Sequence, residues 1–163
     1  MTPLYGWAPM GKRVIDYVPH GHWKTTTFLA ALRHDRLTAP MVVDGAINGE
    51  LFLAYVNQIL LSTLQAGDIV VGDNLSSHKV SGVAEAIESV GAQVLYLPPY
   101  SPDFNPIEQV FSKLKTMLRK LKSRTMEDLW KNFGELCDIF TPKECYHYYK
   151  KAGYGKIKIA TQI

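Results

Sequence analysis

The 163-residue sequence holds only two cysteines, Cys137 and Cys145, and neither belongs to a CxxC pair. That argues against a zinc site, and two free, partly buried thiols are expected rather than a disulfide framework. No apolar run approaches the roughly 18–20 residues of a membrane span. The first residues, MTPLYGWAPMGKR, lack the apolar stretch of a signal peptide. Repeats and low-complexity tracts are absent. What remains is ordinary globular composition, 47% hydrophobic and 20% charged, which excludes disorder and is long enough for one domain with a core. The expectation is one cytoplasmic domain over residues 1–163, with no membrane partner.

Net charge is a modest +3, but it is unevenly spread. Residues 1–104 carry 6 Lys+Arg and 9 Asp+Glu, net −3; residues 105–163 carry 12 and 6, net +6. A basic half joined to an acidic one fits a polyanionic partner, and equally a solvated basic face.

Hydrophobic periodicity orders the chain. Gly11–Val18, Lys24–Arg33 and Pro40–Asp44 read as three strands of a meander. Asn48 caps a helix whose apolar residues Leu51, Phe52, Tyr55, Val56, Ile59 and Leu60 share one face, with Gly67 as its stop. Asp68–Asp73 (DIVVGD) reads as a strand buried on both faces, Val80–Val90 as a helix, and Gln93–Leu97 as a second strand, which implies a right-handed parallel crossover. After the turn-rich PPYSPDFNP, Asn105 caps and Pro106 opens the clearest helix: Ile107, Val110, Phe111, Leu114, Met117, Leu118 and Leu121 keep helical spacing. Further helices are expected over 125–140 and 142–152, with a frayed tail from Gly153. The class is α/β, a mixed sheet flanked by helices.

Two carboxylates stand where chemistry is placed. Asp73 ends a buried strand, the usual site of ligands in open α/β sheets. Glu108 lies in the first turn of the long helix, and 108 − 73 − 1 = 34 residues separate them. Two acids brought together repel unless a divalent cation compensates them, and paired Mg²⁺ ions held this way activate a water or a 3′-hydroxyl against a phosphodiester. Structural roles also fit: Asp73-Asn74 can start a turn, and Glu108 stands three residues after Asn105, as in a capping box. At 100° per residue, Lys115, Arg119 and Lys122 fall within about 40° of Glu108. From Lys113 to Arg124 there are six basic residues and no acidic one, a plausible phosphate-backbone track.

VVGDNLSSHK followed by YLPPYSPDFNPIEQVFSKLK resembles the signature of mariner-type DDE transposases, in particular their bacterial insertion-sequence relatives. GWAPMGKR, PHGHWKTTTFLAALRHD and VVDGAINGE are similar to the family's preceding segments, so the resemblance covers essentially the whole chain. It implies a ribonuclease-H-like fold with three acids and two Mg²⁺ or Mn²⁺ ions. Transposon-end DNA is nicked by water and joined to target DNA by the freed 3′-hydroxyl, at a TA dinucleotide, commonly by a dimer. Asp73 matches the second acid and Glu108 the third, with Asn74 and His78 as accompanying positions. His78, a lone loop histidine, is expected to be structural or exposed rather than a metal ligand.

One departure is large. In the family the first acid ends the first, central strand, upstream of the GWAP-like segment, and no residue here matches it. The helix-turn-helix region that reads transposon ends has no counterpart either. The expectation is therefore a domain lacking its first strand, with residues 1–124 as core and 125–163 as C-terminal helices. Such a chain is expected to be marginally stable, with an exposed sheet edge, and inactive alone. Asp44, ending MVVD, is the best substitute acid. Three readings follow: a split transposase completed by a fragment from an upstream reading frame, a remnant that only binds double-stranded DNA (nucleoid-associated when bound), and a stand-alone nuclease for RNA–DNA hybrids, disfavoured by SPDFNPIE.

Overall fold

A computed structural model describes residues 5–15, 25–121, 123, 125–154 and 161–162. The chain opens into a hairpin, β1 (Thr26–Leu32) and β2 (Leu37–Asp44), antiparallel with a register shift between Leu29 and Ala31. At Ala39 the backbone takes φ 50°, an unfavourable conformation for a residue with a Cβ. Its carbonyl accepts a 2.9 Å hydrogen bond from the buried Tyr55 hydroxyl, which fixes the distorted strand to the helix beneath it. That helix is α1 (Gly49–Tyr55), capped as expected by Asn48, whose side chain accepts from the Leu51 N–H. The helical path then widens into a π turn over Val56–Leu60 before the stop at Gly67.

Next come β3 (Ile69–Gly72), α2 (Val83–Ser89) and β4 (Gln93–Tyr96), with β3 and β4 parallel as the crossover required. Three helices follow: α3 (Ile107–Leu121), α4 (Met126–Cys137) and α5 (Pro142–Lys151). The sheet order is β2-β1-β5-β3-β4, where β5 is Thr161–Gln162. Neighbouring residues on one strand face opposite sides, and the core divides accordingly. Leu32 and Val71 join Ile107, Val110, Leu114, Leu118, Phe133 and Tyr149 on the α3–α5 side. Ala31 and Val70 join Phe52, Tyr55, Leu60 and Ile87 on the α1–α2 side. Both faces of β3 are thus covered, which is why its sequence reads as an unbroken apolar run. Cys145 is buried and Cys137 half-buried, and burial pushes both thiols up to about 11. No described helix is long and apolar enough to cross a membrane.

Three expectations are corrected. The strand over Gly11–Val18 is not formed at residues 11–15, and 16–18 lie outside the described residues. A turn closed by Lys12 N–H donating to the Pro9 carbonyl reverses this segment, and it leaves Tyr5, Trp7, Met10 and Ile15 exposed instead of lying along a sheet edge. The tail does not simply fray, because Thr161–Gln162 is a strand. Nor is the centre of the sheet left open: β5 lies between β1 and β3, antiparallel to the first and parallel to the second. The backbone groups of β1 and β3 that face this slot are buried and need partners, and β5 meets part of that need.

The opposite end of the slot from the acidic strand end is tied by an ion pair. Arg33, just past β1, reaches Asp68, just before β3, at 2.8 Å, and also donates to the Thr63 carbonyl at 3.1 Å. Both side chains are mostly buried, 13% and 11% exposed. Asp68→Ala leaves the guanidinium without its counter-charge, and is expected to cost about 3 kcal/mol. Urea unfolding of the two proteins measures this; a loss under about 1 kcal/mol means the pair does not hold the strands.

Candidate active site

Asp73 follows β3 directly, so the strand delivers its side chain to the sheet's C-terminal edge. Its Oδ1 accepts from the Leu75 N–H at 3.1 Å, the turn the dipeptide Asp73-Asn74 allowed. The same oxygen lies 2.6 Å from His78 Nδ1. His78 is buried in a 3₁₀ turn, Ser76–Lys79, with its ring stacked on Phe52 of α1 at 4.1 Å and its carbonyl receiving the Tyr96 hydroxyl at 2.8 Å. The turn packs tightly on the start of α1: a Cβ at Gly49 would lie 2.2 Å from Val80 Cγ2. Burial raises the Asp73 carboxyl, but the His78 contact and the Leu75 amide outweigh it and hold the group below its ordinary value. His78 is buried, and its partner is the acid itself.

Glu108 arrives by another route. The loop after β4 turns through Tyr100 (φ 56°) and a 3₁₀ turn at Pro102–Phe104 to the buried Asn105. Asn105 Oδ1 accepts from the Ile107 N–H at 3.4 Å, and Ile107 is buried, so the first turn of α3 is fixed in place. The capping box is not made: the Asn105 N–H donates to the Pro102 carbonyl at 2.9 Å, and the exposed Glu108 carboxylate has no hydrogen-bond or ion-pair partner among the described residues.

The two carboxylates share one cleft of about 450 Å³, lined by Asp73, Asn74, Tyr100, Asn105 and Glu108 among others. Beneath it lies a smaller recess of about 200 Å³ that reaches from β1 residues 27–30 to Asp73, His78 and Glu108. Among the described residues no group of three or more His, Cys, Asp or Glu side chains could hold a metal. Asp44 ends β2, the outermost strand on the far side of β1, and lines neither cavity.

A model of the DDE superfamily endonuclease family matches residues 1–130. The chain belongs to this family. Its fold is that of solved structures of the Mos1 mariner transposase, ribonuclease-H-like. The paired-end complex with left transposon end is 15% identical (TM-score 0.70, covering 93% of this chain and 47% of that one). The paired-end complex with Mn is 15% identical (0.68, 90% and 46%). The catalytic domain is 15% identical (0.64, 83% and 78%). The chain spans about half the length of the first two. No curated protein matches it.

Of the basic residues singled out beside Glu108, Lys115 is exposed, Arg119 half-buried, and Lys122 outside the described residues. Lys113 is diverted: its ammonium pairs with Glu144 of α5 at 2.6 Å and lies over the Phe140 ring. Sequence reasoning missed Lys151 of α5, which lines a groove with Gln109, Ser112 and Lys120 and also borders Glu108. Only the packing of α5 on α3 reveals it.

Since the contacts of His78 lower the Asp73 carboxyl, His78→Ala is expected to make Asp73 titrate at higher pH than in the unaltered chain. The sign carries to stability: a lowered carboxyl stabilises the fold above its unfolded value and loses that contribution as pH falls through the folded one. Carbon-detected NMR titration of Asp73 reads the shift. An unmoved titration would mean that His78 merely fills space under Phe52.

Proposed function

We propose that this chain is the larger part of the catalytic domain of a cut-and-paste DNA transposase from a bacterial insertion sequence, acting by metal-dependent phosphodiester cleavage and strand joining. The observation that carries the reading is the meeting of Asp73 and Glu108, from separate elements, in one open cleft with carboxylate oxygens to spare. An all-oxygen donor set of this kind suits a hard divalent cation, Mg²⁺ or Mn²⁺, and a manganese-containing relative of the same fold supports it. Such an ion supplies Lewis-acid activation of the attacking oxygen and stabilisation of the leaving one.

The chain's own residues prepare for this. His78 and the Leu75 amide hold one oxygen of Asp73, which orients the other and keeps the group ionised. Asn105 and Ile107 set the first turn of α3, so Glu108 faces the cleft from a rigid base. Asn74 lines the same cleft and shapes its floor. Lys115 and Arg119, with Lys122, receive the phosphate backbone of double-stranded DNA, both transposon ends and target. Two acids leave the set one short. No third acid joins them among the described residues, and a segment beyond those residues supplies it. The complete enzyme works as a homodimer on DNA, in the cytoplasm at the nucleoid.

Two measurements test this. In Mn²⁺ titration followed by water-proton relaxation, Asp73→Asn and Glu108→Gln should each weaken binding at least about tenfold, since even the loss of a group that only supports a ligand costs about that much. If either variant binds as the unaltered chain does, that residue is not a ligand. In DNA-binding titrations, Lys115→Glu with Arg119→Glu should flatten the plot of log affinity against log salt by about 2, close to one unit per lost phosphate contact. An unchanged slope makes those side chains a solvated face. Nicking of a transposon-end duplex by the purified chain in Mn²⁺, abolished by Asp73→Asn, would show the acid set to be complete without an outside segment.

A further inference from the structure

Three cavities join end to end along one side of α3. The acid cleft and a second cavity of about 370 Å³ share Pro102, Asn105 and Glu108. That second cavity and a third of about 580 Å³ share Gln109, Ser112 and Lys151. The third runs on between α3 and α5 as far as Lys120. From Glu108 to Lys120 is about 18 Å of helix. The chemistry changes along this path. At the near end stand carboxylates, Asp73, Asp103 and Glu108. At the far end the described lining holds no acid and three lysines, Lys113, Lys120 and Lys151. Lys113 is neutralised by Glu144, which accepts from it at 2.6 Å and from the Tyr148 hydroxyl at 2.6 Å. It therefore fixes α5 to α3 as a wall of the groove. Lys120 and Lys151 are exposed, and neither pairs with an acid among the described residues.

We propose that the groove between α3 and α5 is the track by which a DNA strand leaves the acid cleft, with Lys120 and Lys151 holding its phosphates. A phosphodiester strand suits both ends of the path. At the cleft a divalent cation between the acids and a phosphate offsets their repulsion, and in the groove the lysines do so directly. An acidic peptide suits the lysine end alone, since its carboxylates would meet Asp103 and Glu108 at the other. Gln109 and Ser112 stand where the two ends meet and add an amide and a hydroxyl donor of the kind that contacts phosphate oxygens. Lys151 lines the same cavity as Glu108, so it is a positioning residue for a phosphate flanking the one in the cleft. The track is distinct from the face that carries Lys115 and Arg119. At 100° per residue those two lie within about 20° of Glu108, whereas Gln109, Ser112 and Lys120 stand about 40–120° round the helix. The proposal rests on the reading of the cleft as a site for DNA.

The test is fluorescence anisotropy of the full chain on a mixed-sequence DNA duplex across a salt series. Lys120→Glu with Lys151→Glu should flatten the plot of log affinity against log salt by about 2, close to one unit per lost phosphate contact. Lys120→Arg with Lys151→Arg should restore the original slope, because the charge returns. Lys143 and Lys150 are exposed on α5 and line none of the three cavities. Changing both of them to Glu makes the same charge change and should leave the slope as it was. Equal flattening by the two Glu pairs would reduce the effect to overall charge, and flattening by the Arg pair would make it structural; each overturns the proposal. So would a groove pair that loses binding of a poly-glutamate peptide while its DNA slope stays unchanged, which would assign the groove to an acidic protein. A slope that responds to Lys115→Glu with Arg119→Glu but not to the groove pair removes the track and leaves the proposed function standing. Failure of the unaltered chain to bind DNA at any salt concentration removes both.

Discussion

The spacing of β1 and β3 governs the rest of the structure, and the Arg33–Asp68 pair sets it at one end. The two strands are not neighbours, since β5 lies between them. A guanidinium long enough to cross that gap meets the carboxylate with two nitrogens, at 2.8 and 3.3 Å, and binds the Thr63 carbonyl as well. A lysine would supply the charge without the fork. Below, the Tyr149 hydroxyl donates to the Leu32 carbonyl, so α5 is also anchored at the foot of the slot. The lower end of the sheet is therefore rigid. The upper end, where Asp73 and Glu108 stand, has no matching tie between β1 and β3 among the described contacts, and there the cleft and the recess open.

Secondary anchors decide which carboxylates are usable. Asp68, Asp73 and Glu144 are all acids close to the core, but two of them are already spent on structure. Asp68 faces Arg33, and Glu144 accepts from both Lys113 and the Tyr148 hydroxyl, which holds its carboxyl below the ordinary value against the effect of burial. Asp73 is half committed, with Oδ1 engaged by Leu75 and His78, and Glu108 is uncommitted. The acids left available are the pair that share the cleft. The same sorting applies to the cations of α3: Lys113 is held by Glu144, while Lys115 and Lys120 remain on the surface.

Much of this was legible in the residues. DIVVGD has to be a strand buried on both faces, and Asn105-Pro106 has to open a helix whose first turn carries Glu108, so both acids were placed at element ends by local rules alone. Helical spacing along α3 was equally plain. Long-range facts were not legible. Nothing in SSHK says that His78 stacks on Phe52, because the apolar face of α1 shows which residues point inward but not which ring each one meets. The pairing of Lys113 with Glu144 spans 31 residues and depends on how α5 packs on α3. The strand read into Gly11–Val18 failed for a related reason: alternation of Val14 and Ile15 marks a segment able to pair, but a strand exists only where an edge is offered to it. Thr161–Gln162, by contrast, has a weak strand signal and becomes one because β1 and β3 offer edges on both sides.

That asymmetry bears on how the acid set and the fold depend on each other. In most sheets a missing edge strand leaves the site intact and costs only stability. Here β5 is central, and the recess along β1 adjoins both acids. The recess beside Ala30 is walled by apolar side chains of both core clusters, Ile107 and Phe111 from one and Phe52 and Tyr55 from the other. Sheet and cleft are therefore held by the same apolar packing, mainly through burial rather than through attraction among carboxylates, which repel.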